Sequence, residues 1–203
     1  MRRGSFITFE GIDGAGKSTQ IEALVNLLET SGLEVVRTRE PGGTPLSEKI
    51  RSLLLNDAMD VMTETLLFFA SRREHIAQVI EPALKRGAWV VSDRFTDATF
   101  AYQVGAKGCA ARDVELLEKL VQKDLQPDHT ILFDISPQQA ALRRAGTHQT
   151  DRFEQEDIAF FDSVRKAYLD RADRFRDRFF ILNAEQSPET ITHCLLAEAK
   201  TWL

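Results

Sequence analysis

The run Gly11-Ile12-Asp13-Gly14-Ala15-Gly16-Lys17-Ser18 constrains this chain more than any other stretch. It fits Gly-x-x-x-x-Gly-Lys-Ser, a loop that wraps phosphate groups when a strand precedes it and a helix comes after. Phe6-Ile7-Thr8-Phe9 reads as a buried strand, and Ile21, Leu24, Val25 and Leu28 repeat at helical spacing. The loop therefore implies a strand–loop–helix unit and an anion site at the helix start. Gly11 and Gly16 permit backbone angles and a close approach that side chains would block. Backbone N–H groups can then converge on an anion. Lys17 adds a point charge suited to outer phosphates, and the Ser18 hydroxyl is placed for magnesium. The loop and Thr19 after it are expected to hold a nucleoside triphosphate.

The rest of the chain selects the architecture. Leu33-Glu34-Val35-Val36, Trp89-Val90-Val91, Thr130-Ile131-Leu132-Phe133 and Phe179-Phe180-Ile181-Leu182 read as four further strands. Between them lie a short helical pattern at Leu46, Ile50, Leu53 and Leu54, and a long one from Leu66 to Leu84 with Pro82 as a weak point. Val114, Leu117, Leu120 and Val121 mark another helical face. Phe161, Val164, Tyr168 and Phe175 suggest a second long helix, and Ile191, Leu195, Leu196 and Ala199 close the chain. Short apolar strands alternating with helices predict an α/β fold, a parallel five-stranded sheet covered on both faces. Its 203 residues suit a single domain, 1–203, with a lid at about 143–154.

Composition narrows the function classes. A net charge of −5 argues against a duplex nucleic-acid binder. Cys109 and Cys194 stand in no metal-ligand spacing and read as reduced thiols, and no run reaches the length of a membrane span. Arg2 and Arg3 precede an apolar run that Glu10 interrupts, so no signal peptide is expected, and the predicted compartment is cytoplasmic.

In a parallel sheet ligands sit at the carboxyl ends of strands, and further motifs fall there. Ser92-Asp93-Arg94 lies just after the third strand. Asp93 can hold magnesium or its water shell, while Arg94 can grip a phosphate with two parallel hydrogen bonds. The arginine, where a motor ATPase would carry a glutamate, favours an acceptor phosphate over a hydrolytic water. Taken alone, both would read as a strand-end ion pair; beside the glycine loop that reading comes second. Arg39-Glu40-Pro41-Gly42-Gly43-Thr44 lies just after the second strand. Thr44 can cap the next helix, Arg39 and Glu40 can face the cleft, and the Glu40–Pro41 peptide can be cis or trans. Phe68 and Arg72 lie one turn apart, so a ring could stack on a base while the arginine bonds its edge. One of Phe68 and Phe69 is expected in the core. Arg143, Arg144, Asp151, Arg152, Phe153 and Glu154 bracket the polar segment Gly146 to Thr150, which suits either a lid or an exposed charged loop.

The stretches FEGIDGAGKST, TREPGGTPL, SDRFTDATFAYQ and DRFEQED together resemble bacterial thymidylate kinase. The resemblance runs from about Phe6 to about Asp157 and continues weakly beyond. It implies transfer of the terminal phosphate of ATP to dTMP with magnesium, by a homodimer built on a five-stranded parallel sheet, with no nucleic-acid or membrane partner. Residue by residue, it implies that Gly11 to Ser18 hold ATP and that Asp13 lies near the acceptor's 3′-hydroxyl. Phe68 takes the place that stacks on thymine, and Arg72 the one that bonds its edge. Arg94 resembles the clamp on the acceptor phosphate. Thr99 and Gln103 stand where the base is contacted, Tyr102 where a 2′-hydroxyl would be crowded out, and Asp93 on the metal side. Family members carry a basic residue either inside the glycine loop or in the lid. Gly14 puts this chain with the second kind, yet Gly146-Thr147-His148-Gln149-Thr150 lacks the arginine expected there. The lid cation is therefore Arg143, Arg144 or Arg152; His148 could add charge when protonated, but reads first as a solvated loop histidine. Two rivals remain: a kinase for another nucleotide or nucleoside, and a GTP switch, whose Asn-Lys-x-Asp motif is missing here.

Overall fold

The computed structural model describes residues 3–145, 153 and 156–203. Strand β1 (Phe6–Glu10) has every residue buried and leads through the glycine loop into α1 (Lys17–Thr30). Then come β2 (Val35–Arg39), α2 (Pro45–Asn56), α3 (Val61–His75), α4 (Glu81–Lys85) and β3 (Trp89–Asp93). The chain continues with α5 (Thr96–Thr99), α6 (Ala111–Gln122), β4 (His129–Asp134), α7 (Pro137–Arg144), α8 (Ile158–Arg174), β5 (Phe179–Asn183) and α9 (Pro188–Ala199). The five strands pair in parallel in the order β2-β3-β1-β4-β5. Chain order reverses around β1, so the crevice opens at the carboxyl ends of β1 and β3. Register brings Phe9 and Arg39 level with Asp93, on either side of β3.

Alternation along β1 divides the core. Ile7 and Phe9 join Ile21, Leu24 and Leu28 of α1, while Phe6 joins Ile76, Ile80, Leu84 and Phe95 on the other face. Leu24 and Leu28 are fully buried, worth about 1.5–3 kcal/mol each. Thr8 and Glu10 share the Phe6 face and find polar partners. Thr8 Oγ1 lies 3.0 Å from Thr130 Oγ1, and Glu10 accepts from the Phe95 N–H and the Tyr168 hydroxyl.

Three elements depart from the sequence expectation. The second strand begins at Val35, because Gly32 and Leu33 close α1, their N–H groups bonding back to the Glu29 and Leu28 carbonyls. The long helix expected over Leu66 to Leu84 starts earlier, where the Asp60 carboxylate accepts from the Met62 and Thr63 N–H groups. It then loosens into a π-helical turn at Ile76–Ile80 before Pro82, which lacks an N–H and whose ring would crowd the carbonyl four residues back. Finally, α8 ends at Arg174, leaving Phe175 as its cap. As expected, Thr44 caps α2, accepting from the Ser47 N–H at 3.1 Å. The Glu40–Pro41 peptide is cis. Among the described residues no helix is long and apolar enough to cross a membrane.

Candidate active site

Two clefts meet at the carboxyl ends of β1 and β3, and Asp13, Glu40, Arg51 and Arg94 line both. The first, about 1080 Å³, is walled by the glycine loop, Ser18, Thr19, Arg39, Asp93, Arg143 and Arg144. The second, about 600 Å³, is walled by Phe68, Arg72, Phe95, Thr99, Tyr102, Gln103 and Phe153.

On the first side the backbone does most of the shaping. Gly11 has φ +131°, and a Cβ there would sit 2.6 Å from the Phe133 carbonyl oxygen, so the loop rests directly on β4. Gly16 caps α1 in the left-handed conformation with no side-chain cap, which leaves the first-turn N–H groups open to an anion. Lys17 Nζ donates to the Gly11 and Ile12 carbonyls at 3.1 and 3.2 Å. Burial, with Arg94 adding to it, lowers the Lys17 ammonium, while Asp93, Asp13 and Glu10 oppose that shift. Ser18 and Thr19 are exposed on the first turn of α1. Asp93 Oδ1 is buried with no hydrogen-bond partner.

Gly14 gives α7 room to lie close against the loop. A Cβ there would meet the Ala140 carbonyl oxygen at 2.6 Å and Arg144 Cγ at 3.1 Å. Helix α7 thus lies across the position where a basic loop residue would rise, and Arg144 occupies that space. Arg144 Nη1 donates to the Asp13 carbonyl at 2.7 Å, and its guanidinium lies over the Phe161 ring. Arg143 lines the same cleft and is exposed. Arg152 lies outside the described residues, as do Asp151, Glu154 and the segment 146–150 with His148.

Arg94 stands between the clefts. Its φ of +69° is a left-handed conformation uncommon outside glycine. Bonds on either side hold it: Arg94 N–H donates to the Phe9 carbonyl at 2.9 Å, and Phe95 N–H to Glu10 Oε1 at 2.7 Å. The guanidinium donates to Asp13 Oδ1 at 2.7 Å, Tyr168 Oη at 3.0 Å and Tyr102 Oη at 3.3 Å. Tyr168 in turn donates to Glu10 Oε2 at 2.8 Å. Burial would lower the Arg94 guanidinium, but Asp13 outweighs it and keeps the group charged. Burial would likewise raise the Asp13 carboxyl, yet Arg94 and Lys17 hold it down at about 2. Burial pushes the Tyr102 phenol up, so it stays a donor, to Asp13 Oδ2 at 3.3 Å.

Arg72 anchors the second cleft. It is 1% exposed, lies over Phe69 and Phe95, donates Nε to Glu40 Oε2 at 2.7 Å and Nη2 to the Phe95 carbonyl and Thr99 Oγ1. Its Nη1 is buried without a partner. The other Glu40 oxygen bonds His75 Nδ1 at 2.9 Å. Burial opposes ionisation of Glu40, but Arg72 and His75 overcome it and lower its carboxyl. Phe69 is the core residue of the phenylalanine pair, and Phe68 is the one that faces the cleft.

Known proteins share both sequence and fold with this chain. A family described as Thymidylate kinase matches residues 9–194. The chain is 57% identical over 189 residues to a thymidylate kinase of Methylobacillus flagellatus, covering 93% of each chain. It is 55% identical over 199 residues to that of Burkholderia lata, covering 96% of this chain and 97% of the relative. The chain belongs to the thymidylate kinase family. Its fold matches the crystal structure of thymidylate kinase from Ehrlichia chaffeensis with a TM-score of 0.77 at 35% identity, covering 97% of this chain and 98% of that one.

The predicted residues Lys17, Ser18, Asp93, Arg94, Arg143 and Arg144 gather in the first cleft, and Phe68, Arg72, Thr99, Tyr102 and Gln103 in the second. Arg39 lines the first rather than the second, half-exposed and paired with Glu48 at 3.0 Å. Glu40 reaches the second mainly as the partner of Arg72. Sequence reasoning missed Glu10, Tyr168, Glu64, Lys107 and Arg51. Glu10 carried a usable hint, the one charge at the end of an otherwise uncharged strand. Tyr168 carried none, because a tyrosine at helical spacing reads as core. Phe153 was legible only as bracketing the expected lid. It is 7% exposed and packs edge-on against Phe68 and Tyr102.

Proposed function

We propose that the chain transfers the γ-phosphate of ATP to dTMP, giving ADP and dTDP. The observation that carries this reading is that Arg94 and Asp13 border both the phosphate-loop cleft and the aromatic pocket, so two nucleotides entering from opposite sides meet end to end there. ATP phosphates lie on the N–H groups of Gly11 to Thr19, with Lys17 swinging from the loop carbonyls onto the outer phosphates. Thymine lies against Phe68, with Arg72 Nη1 on its edge and Thr99 and Gln103 beside it. Tyr102 closes the sugar side.

Phosphoryl transfer asks mainly for alignment and charge stabilisation. Arg94 trades its tyrosine contacts for the acceptor phosphate and directs one oxygen at the γ-phosphorus. Asp13, ionised well below neutrality, fixes the guanidinium and faces the acceptor sugar. Lys17 and a lid arginine, Arg143, Arg144 or Arg152, neutralise charge on the moving group. The attacking phosphate is already largely anionic, so no general base is needed. The partnerless Asp93 Oδ1 and the exposed Ser18 hydroxyl border one cleft and suit magnesium, which takes few protein oxygens and fills its sphere with water and phosphate. Such an ion would supply positive charge to offset that of the phosphates.

A second copy of the chain completes the proposed molecule. Leu116 and Leu120 of α6 are 66% and 75% exposed, and Leu66 of the adjoining α3 is 48% exposed. Such an apolar face, together with the family resemblance, supports a homodimer.

An ADP-release assay with ATP, magnesium and each common nucleoside monophosphate tests the reading. Turnover is expected to be highest with dTMP, and Arg94→Ala is expected to lower it on the order of 10³-fold. Preference for another base, or near-normal turnover and acceptor affinity in Arg94→Ala, would refute it.

A further inference from the structure

Gln103 lines the base pocket with a carboxamide that can present a donor or an acceptor, and that choice decides which base edge the pocket accepts. Glu64 settles the choice. It lies on α3 one turn before Phe68 and is 1% exposed. Both its carboxylate oxygens accept from Lys107 Nζ, at 3.0 and 2.8 Å, and Oε1 also accepts from Gln103 Nε2 at 2.8 Å. A carboxylate held by an ammonium only accepts hydrogen bonds. Gln103 must therefore give it the NH2 end and turn Oε1 the other way. Among the described residues none donates to Gln103 Oε1. Arg72 supplies the opposite group, the partnerless Nη1.

Arg72 and Gln103 thus bring one donor and one acceptor to the pocket, both fixed from behind: Arg72 by Glu40, Gln103 by Glu64. Thymine presents the acceptor O4 next to the donor N3–H. Cytosine presents the donor N4–H2 next to the acceptor N3. The first pattern complements the pair, whereas the second sets donor against donor and acceptor against acceptor. We propose that Glu64, backed by Lys107, is a positioning residue that locks the Gln103 amide and thereby excludes cytosine. This rests on reading the pocket as the acceptor-base site. Glu64 lies behind Gln103 and does not line the pocket, so it acts by denying Gln103 the flipped state. A site built on fixed polar groups rejects a mismatched base far more strongly than an apolar slot does.

The experiment compares kcat/KM for dTMP and dCMP in the wild type, Glu64→Gln and Glu64→Asp. A glutamine at 64 can donate or accept, so it no longer dictates the Gln103 orientation. An aspartate keeps a charge for Lys107 but falls one methylene short of Gln103. Both variants are expected to lower the dTMP-to-dCMP ratio at least about tenfold, with KM for dTMP rising and dCMP turnover gaining. A merely structural ion pair would depress both acceptors alike and leave the ratio unchanged, and that result in a folded variant overturns the proposal. If Glu64→Gln does not fold, Glu64→Asp carries the comparison. A wild type with no preference for dTMP over dCMP would instead overturn the assignment of the pocket, so the two failures are distinct.

Discussion

Glu10 ends β1 with none of its surface exposed, and burial, with Asp97 adding to it, pushes its carboxyl up to about 8. Arg94 and the bonds from Tyr168 and Phe95 oppose that shift without cancelling it. The folded chain thus keeps this proton where the unfolded chain, near 4.5, has released it. The sign comes from linkage: stability carried by the group is full below about pH 4.5 and is lost as pH rises toward 8. Glu10→Gln retains an oxygen for the Phe95 N–H but cannot ionise. Urea denaturation from pH 5 to 8 should therefore show the wild type losing more than about 1 kcal/mol relative to the variant. Parallel curves would mean that Glu10 is ionised in the fold throughout. The same residue holds the backbone next to Arg94, so this buried proton and the guanidinium between the two clefts share one scaffold.

Elements place side chains that spacing alone could not. Helix α5 runs on as a π-helical turn over Phe100–Ala106, the segment that turns Tyr102 and Gln103 toward one pocket with Thr99. The glycine loop works by contrast between two of its members. At Gly11 an added methyl would collide with the Phe133 carbonyl and strain the backbone, whereas at Gly16 it would meet nothing within 4 Å. Gly16→Ala is expected to cost about 1–2 kcal/mol, the penalty for a left-handed L-residue. Gly11→Ala should cost clearly more, because β1 and β4 must part as well. Thermal melts of the two variants check the order, and equal losses would show that the loop does not rest on β4.

The molecule as a whole presents α6 with two apolar faces. Val114 is buried against Phe69 and Phe100, with Leu117 and Val121 packed beside them, while Leu116 and Leu120 point outward. If a second copy covers that outer face, Leu120→Glu should leave a folded chain, since the residue has little to lose within its own protomer, and shift sedimentation from dimer to monomer at micromolar concentration. A monomeric wild type, or a variant that still sediments as a dimer, would remove the proposed interface.

Gly11 to Ser18 and the alternation of short apolar strands with helices already imposed a parallel sheet with a phosphate loop at its mouth. These features are local: glycine spacing, strand length and helical period are written within a dozen residues. Phe68 and Arg72 were legible for the same reason, one helical turn apart. What tertiary structure alone decided are pairings over long separations. Arg94 meets Asp13 and Tyr168, Arg72 meets Glu40, and Gln103 meets Glu64, the partners standing 81, 74, 32 and 39 residues apart. A buried charge must find a partner or lose its ionisation, but sequence does not say which of many carboxylates will be brought within 3 Å. Only the folded sheet and the helices across it make that selection.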